Sequence, residues 1–305
     1  MSEFIDVIIV GAGPAGLQAA VHAVRKKATV LILGRPHKSA ISSAHVENYL
    51  CVDGITDGHE MLKVGLNQAT RFGACFVEED VLGIAQNDDH FEVRTESGAY
   101  RGRTVILATG THKTKLRVKG EKELTGKGVS YCVDCDANFF RNAKVAVVGN
   151  ESAAVDGALT LLKYAAEVHL VARELSVSEE LARKLEESGV KVHKGSWVKE
   201  IIGENGVEKL LLEDDALLEV EGVFVELGAK GAMELATNLG VQLDMETFSY
   251  IDTNKRQETN LAGVYAAGDI AGPPLQMAKA VGEGCVAGWH AANHANKQKR
   301  QESGE

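Results

Sequence analysis

Asp6-Val7-Ile8-Ile9-Val10 is a short apolar run closed by Gly11, a helical pattern follows from Ala15 to about Lys26, and Thr29-Val30-Leu31-Ile32-Leu33 is a second apolar run. Strands covered on both faces read as continuous hydrophobic stretches, so this pattern predicts a parallel β-α-β unit at the start of the chain. The pattern returns from Lys144. Val145-Ala146-Val147-Val148 closes on Gly149, a helix is expected from about Ala153 to Tyr164, and Val168-His169-Leu170-Val171 is the next strand. Two such units predict an α/β chain with two Rossmann-like domains, each a parallel sheet with helices on both faces.

Between the units, hairpin strands are expected around Phe91 to Thr95 and Tyr100 to Arg103, running into Thr104-Val105-Ile106-Leu107-Ala108-Thr109-Gly110. Near the end, Gly263 to Asp269 reads as a strand entering a Gly-Asp turn, and a helical pattern runs from about Gln276 to Asn293. The polar residues after Asn293 are expected to fray. A length of 305 residues accommodates two cores. No apolar stretch approaches the roughly 20 residues a membrane span needs, which excludes a transmembrane helix. The acidic start Met1 to Asp6 lacks the basic region of a secretory signal, and a cytoplasmic protein is expected. A net charge of −10 argues against nucleic-acid and anionic-membrane partners and favours a small ligand or a protein.

Gly11-Ala12-Gly13-Pro14-Ala15-Gly16 fits G-x-G-x-x-G directly between a strand and a helix, the context a dinucleotide fingerprint requires. Gly11 allows the tight turn, Gly13 admits a pyrophosphate against the backbone, and Gly16 allows close helix packing. The phosphates would sit on a helix N-terminus, where free N–H groups and the dipole favour an anion. The acid that usually ends the second strand is absent, and Gly34 and Arg35 stand there instead. Among five cysteines, only Cys132 and Cys135 are closely spaced. Cys132-Val133-Asp134-Cys135 suits a redox disulfide or half a zinc site, and the want of a second ligand pair favours the redox couple, with no metal. Asp136 beside it can move protons during thiol exchange or serve as a helix N-cap. In the second unit, Gly149-Asn150-Glu151-Ser152-Ala153-Ala154 puts Glu151 at the second glycine position, where bulk and negative charge oppose a pyrophosphate.

These motifs, with Ala108-Thr109-Gly110 and Ala266-Ala267-Gly268-Asp269, closely resemble the low-molecular-weight thioredoxin reductases over about Phe4 to Ala292. The resemblance implies two Rossmann-like domains of the three-layer β/β/α type, the second inserted into the first. Residues 1–112 and 246–305 would bind FAD, and residues 113–245 would carry the disulfide and a degenerate nicotinamide site. It implies a homodimer in which reduced FAD passes two electrons to the disulfide and the disulfide passes them to thioredoxin. By position, Asn48 in Val46-Glu47-Asn48 contacts the flavin, Gly268 and Asp269 hold the ribitol, and backbone near Gln276 and Met277 faces the flavin ring. The resemblance further implies that Cys135 faces the flavin and that Cys132 attacks thioredoxin.

NADPH-using members carry an H-R-R-x-x-x-R stretch that grips the 2′-phosphate. Here it reads Ala172-Arg173-Glu174-Leu175-Ser176-Val177-Ser178. The departures, and His45-Val46-Glu47-Asn48-Tyr49-Leu50, are similar to the ferredoxin-dependent flavin thioredoxin reductases. Three functions are therefore weighed: thioredoxin reduction fed by ferredoxin or a similar acidic carrier, an NAD(P)H-linked reductase with a divergent site, and a non-catalytic redox sensor. The basic run His112 to Lys127 is either a solvated linker or the docking surface for such a carrier.

Overall fold

The computed structural model describes residues 4–111 and 115–303. The chain divides into two compact units, Met1–His112 with Leu235–Glu305, and Lys113–Glu234. It returns to the first unit inside the helix Ala232–Leu239, earlier than the 246 read from the sequence. Leu235, Ala236 and Val241 are all buried, and this apolar content places the return ahead of the polar stretch around Glu246.

In the first unit, the strand Ile5–Val10 lies between Val30–Leu33 and Ala99–Leu107, all parallel, and Cys75–Val77 extends the sheet beyond Val30–Leu33. Val264–Ala266 pairs in parallel with the end of Ala99–Leu107, and its other end turns into an antiparallel meander with Phe91–Thr95 and Val81–Gln86. Val7 to Leu33 of the central strands are sealed on both faces, as continuous apolar runs require.

The helices Pro14–Arg25 and Met277–Ser303 pack together through small residues. A Cβ on Gly284 would meet the Ala15 carbonyl oxygen at 2.2 Å, and one on Gly288 would meet that of Ala19 at 2.2 Å. The last helix runs well past Asn293, so the expected fraying does not occur. Ala295 is buried, Asn296 Nδ2 donates to the Lys26 carbonyl at 3.0 Å, and Lys299 Nζ reaches Asp6 Oδ2 at 2.8 Å. Tertiary partners hold the polar segment that its composition alone would leave loose.

In the second unit, five parallel strands lie in the order Lys191–Lys194, Glu167–Ala172, Lys144–Val148, Gly222–Val225 and Val129–Ser130. A three-stranded antiparallel sheet, Val198–Ile202, Lys209–Leu212 and Leu217–Glu219, supplies the further layer. Both units are Rossmann-like, and the second is inserted into the first.

Gly284→Val should destabilise the protein by roughly 2 kcal/mol or more, because the backbone of Ala15 cannot yield to a branched side chain. Chemical denaturation would measure it against Gly282→Ala, where an added Cβ meets nothing within 4 Å. Equal stability of the two variants would contradict the packing account.

Candidate active site

The first unit gathers its signature residues at the carboxyl ends of its parallel strands, where open α/β sheets bind their ligands. Gly11 has φ +117°, and a Cβ there would meet the Ala108 carbonyl oxygen at 2.2 Å and the Thr109 nitrogen at 3.1 Å. The fingerprint loop and the Ala108-Thr109-Gly110 loop therefore touch. A Cβ on Gly34, with φ +141°, would lie 3.0 Å from the Ala12 nitrogen. On the helix side, a Cβ on Gly268 would lie 3.0 Å from Ala15 Cβ. The Gly268-Asp269 turn is tied down by the last helix. Gly268 N–H donates to Glu283 Oε2 at 2.9 Å, Lys279 Nζ donates to the Gly268 carbonyl at 2.8 Å, and Lys279 and Glu283 pair at 3.0 Å.

Two features of this cradle await an anion and a polar ligand. Gly13 caps the helix Pro14–Arg25 without any side-chain acceptor, and Pro14 has no N–H to satisfy. Thr109 Oγ1 is buried without a hydrogen-bond partner in the protein. Asn48 Nδ2 donates to Gln276 Oε1 at 3.1 Å, which brings together two candidates far apart in sequence; Met277 opens the following helix. Arg35 is otherwise engaged. Its guanidinium takes both oxygens of buried Glu96 at 3.0 and 3.1 Å and lies 3.4 Å from Asp80, whose other oxygen pairs with Lys38 at 3.0 Å. Desolvation pushes the Glu96 carboxyl above its usual range despite Arg35.

In the second unit, Cys132 and Cys135 form a disulfide at the mouth of the one-turn helix Val133–Asp136. Cys132 is itself the N-cap, with its sulfur accepting from the Cys135 N–H at 3.1 Å. Asp136 makes no capping bond; its Oδ2 accepts from Ser130 Oγ at 2.7 Å, and the Cys132 N–H donates to that hydroxyl at 3.1 Å. A hydroxyl relay thus links the carboxyl to the backbone of the redox turn. No cluster of three metal-binding side chains exists among the described residues.

The second dinucleotide loop is turned to internal bonding. Asn150 Oδ1 accepts from the Arg173 N–H at 3.0 Å and its carbonyl from the Ser176 N–H at 2.8 Å. Arg173 binds Glu213 at 2.7 Å and covers Trp197 at 5.5 Å, and Glu174 is exposed beside it.

Sequence reasoning missed a buried cluster beneath the disulfide. Glu226 Oε1 accepts from the Val133 N–H at 3.2 Å, and Glu234 Oε1 faces the Asp134 N–H at 3.5 Å. Lys230 Nζ contacts Asp134 at 2.6 Å, Asp156 at 3.1 Å and Glu234 at 3.8 Å. Burial raises the Glu226 carboxyl well above its usual range, with neighbouring Glu234 adding to the effect, and burial raises Glu234 to about 7. Asp156 offered a signal, since it is an acid on the helix Ser152–Leu161, which is otherwise apolar on nearly every side.

The chain matches the family model described as pyridine nucleotide-disulphide oxidoreductase over residues 5–284. It is 34% identical to a thioredoxin reductase of Listeria monocytogenes, with 97% of this chain and 96% of that protein covered. It is 35% identical to a thioredoxin reductase of Bacillus subtilis, with 94% of each covered. Among solved structures, the atypical thioredoxin reductase TRi from Desulfovibrio vulgaris Hildenborough superposes with a TM-score of 0.84 at 33% identity, covering 96% of this chain and 98% of that one. A ferredoxin-flavin thioredoxin reductase from Clostridium acetobutylicum gives a TM-score of 0.70 at 32% identity over 96% of this chain and 98% of that one.

Gly13→Glu should remove the dinucleotide and leave the fold. A Cβ there meets only the Ser39 hydroxyl at 3.2 Å, so the protein accommodates it, while the carboxylate enters the pyrophosphate position. Flavin retained on gel filtration measures the outcome; a folded variant that stays fully loaded would refute this placement.

Proposed function

The chain belongs to the pyridine nucleotide-disulphide oxidoreductase family and is an FAD-dependent, thioredoxin reductase-type disulfide oxidoreductase, and from that premise we propose that its electrons come from a reduced ferredoxin or a similar acidic carrier. The observation that carries this reading is the commitment of Arg173 to Glu213 and Trp197. The cation left at the ribose-phosphate strand is paired on the surface with Glu213, and Glu151 and Glu174 add negative charge in the two loops where a nicotinamide dinucleotide would lie. A charged hydrogen bond is worth about 1.5–3 kcal/mol, so losing it to an internal partner costs a nicotinamide dinucleotide roughly tenfold to a hundredfold in affinity.

The residues of the first unit suit FAD. The uncapped helix N-terminus at Gly13 would take the pyrophosphate, Thr109 Oγ1 would find its missing partner, Asp269 would hold the ribitol, and Asn48, Gln276 and Met277 would border the ring. When bound, FAD supplies two-electron redox chemistry. Ser130 holds the Asp136 carboxyl beside the redox turn, where it gives a proton to a leaving thiolate and takes one from an attacking thiol. Phe139, 82% exposed four residues beyond Cys135, offers an apolar anchor for thioredoxin.

Lys115, Arg117, Lys119, Lys122 and Lys127 are all exposed, whereas Glu121 of the same run is buried and accepts from the Leu116 and Arg117 N–H groups and the Tyr131 hydroxyl. Glu123 is exposed among them and Lys119 pairs with Glu200 at 2.7 Å, and the basic excess that remains on this surface suits an acidic carrier. Lys113, which belongs to the same basic run, lies outside the described residues. A homodimer accounts for the apolar exposure of Leu50, Ile55 and Val64 in the first unit. Exposed free Cys51 and Cys75 fit a reducing, cytoplasmic setting.

Anaerobic spectra provide the test. Reduced ferredoxin should bleach the flavin, and neither NADPH nor NADH should do so at a useful rate; bleaching by millimolar NADH within a second would replace ferredoxin with a nicotinamide donor.

Cys132→Ser and Cys135→Ser should each abolish thioredoxin reduction with FAD retained, and Asp136→Asn should slow turnover roughly 100-fold. Full activity in either cysteine variant would take the disulfide out of the reaction.

A further inference from the structure

The turn that carries the disulfide is held from below. A helix normally offers the N–H groups of its first turn to a thiolate at its N-cap, which lowers the thiol pKa. Here two of the three are taken by carboxyls, since Val133 donates to Glu226 and Asp134 faces Glu234, and only the Cys135 N–H is given to the Cys132 sulfur. Both carboxyls are buried, at 5% exposure each, and the Lys230 ammonium beside them also contacts Asp134 and Asp156. Three buried carboxyl groups, Glu226, Glu234 and Asp156, thus crowd around this ammonium, which also reaches the more exposed Asp134, and the two cysteines and Asp136 complete the ionisable groups of the adjoining helix. Packing that many like charges into a low dielectric forces at least one proton to be shared.

We propose that Glu226 and Glu234, with Lys230 beside them, are positioning residues of the redox couple, which hold the Cys132–Cys135 turn by its peptide N–H groups and share a proton with it, so that thiolate formation on reduction is linked to protonation of a buried carboxyl. The inference rests on the reading that these cysteines are the working pair. Reduction breaks the S–S bond with two electrons from a dithiol, which closes to its own disulfide and releases two protons. One proton goes to one sulfur. The second divides between the other sulfur and the carboxyl cluster, because a thiolate on this turn and an ionised carboxylate held against its peptide N–H groups repel each other. Burial raises Glu234 to about 7, which brings it toward the ordinary range of a thiol.

The consequence is a pH dependence that a purely structural support would not give. The holoprotein is reduced with dithiothreitol, desalted anaerobically and alkylated with iodoacetamide between pH 6 and 10. Peptide mass spectrometry then follows Cys132 and Cys135 separately, with Cys51, Cys75 and Cys285 as internal comparisons. In the unaltered protein, the alkylation rate of the more reactive cysteine should rise over a span broader than a single one-proton curve. Glu234→Gln keeps the shape and the acceptor oxygen but removes the titration. It should collapse the profile to one step and speed alkylation at pH 8 by roughly threefold to tenfold, since the thiolate is the nucleophile. Glu226→Gln, which retains the bond from Val133, should narrow the profile in the same direction. Superimposable profiles for the three proteins, or a one-proton curve in the unaltered one, would overturn the proposal. The assay needs neither thioredoxin nor an electron carrier, so its failure is separable from an error about the donor.

Discussion

The first strand and the first helix meet without room for a single methyl group. A Cβ on Gly16 would lie 1.9 Å from the carbonyl oxygen of Gly11, and one on Gly11 would lie 2.2 Å from that of Ala108. Three backbone segments are thereby drawn to one point at the edge of the sheet. The N-terminus of the helix is aimed over the carboxyl ends of the strands, and the dinucleotide cradle follows from that aim. The last helix continues the same logic by seating Gly284 and Gly288 on Ala15 and Ala19, which brings Lys279 and Glu283 to the Gly268-Asp269 turn.

The second unit repeats the scaffold of the first with its loop bonded internally. Its strand, turn and helix are intact, and Gly149 still packs so closely that a Cβ would lie 1.9 Å from the Glu226 carbonyl oxygen. Its polar groups point to one another. Asn150 closes the loop on Arg173 and Ser176, and Arg173 turns to Glu213. The architectural glycine is demanded by packing, and the polar side chains around it stabilise the unit.

The elements legible in the sequence are those whose stability is local or wholly apolar. Both β-α-β units announce themselves because Val7 to Val10 and Val145 to Val148 can only be strands sealed on two faces, with glycine ending each. The redox pair is equally legible, as Cys132 and Cys135 are neighbours on one turn. The remainder depends on partners far along the chain. Nothing near Lys299 reveals that Asp6 will order it, and nothing near Arg173 reveals Glu213. The carboxyls of Glu226 and Glu234 lie about a hundred residues from the amide groups they face, so the cluster beneath the disulfide exists only once the parallel sheet has formed. The return of the chain at Leu235 escaped for a similar reason, since its helix starts in one unit and ends in the other.

Asp6 is bonded reciprocally to Thr29, its carbonyl accepts from the Thr104 hydroxyl, and Lys299 closes on its carboxylate. Two segments 293 residues apart are therefore stitched to one another, with the whole inserted unit emerging from the ribosome in the interval. Vectorial synthesis then imposes an order. Lys113–Glu234 is one continuous segment and can complete its fold while the first unit still lacks its seventh strand, its Gly-Asp turn and its longest helix. The disulfide-bearing unit is born before the nucleotide cradle is finished, and a nascent chain stalled short of Lys279 would already hold its cysteines in place with no closed pocket for a flavin.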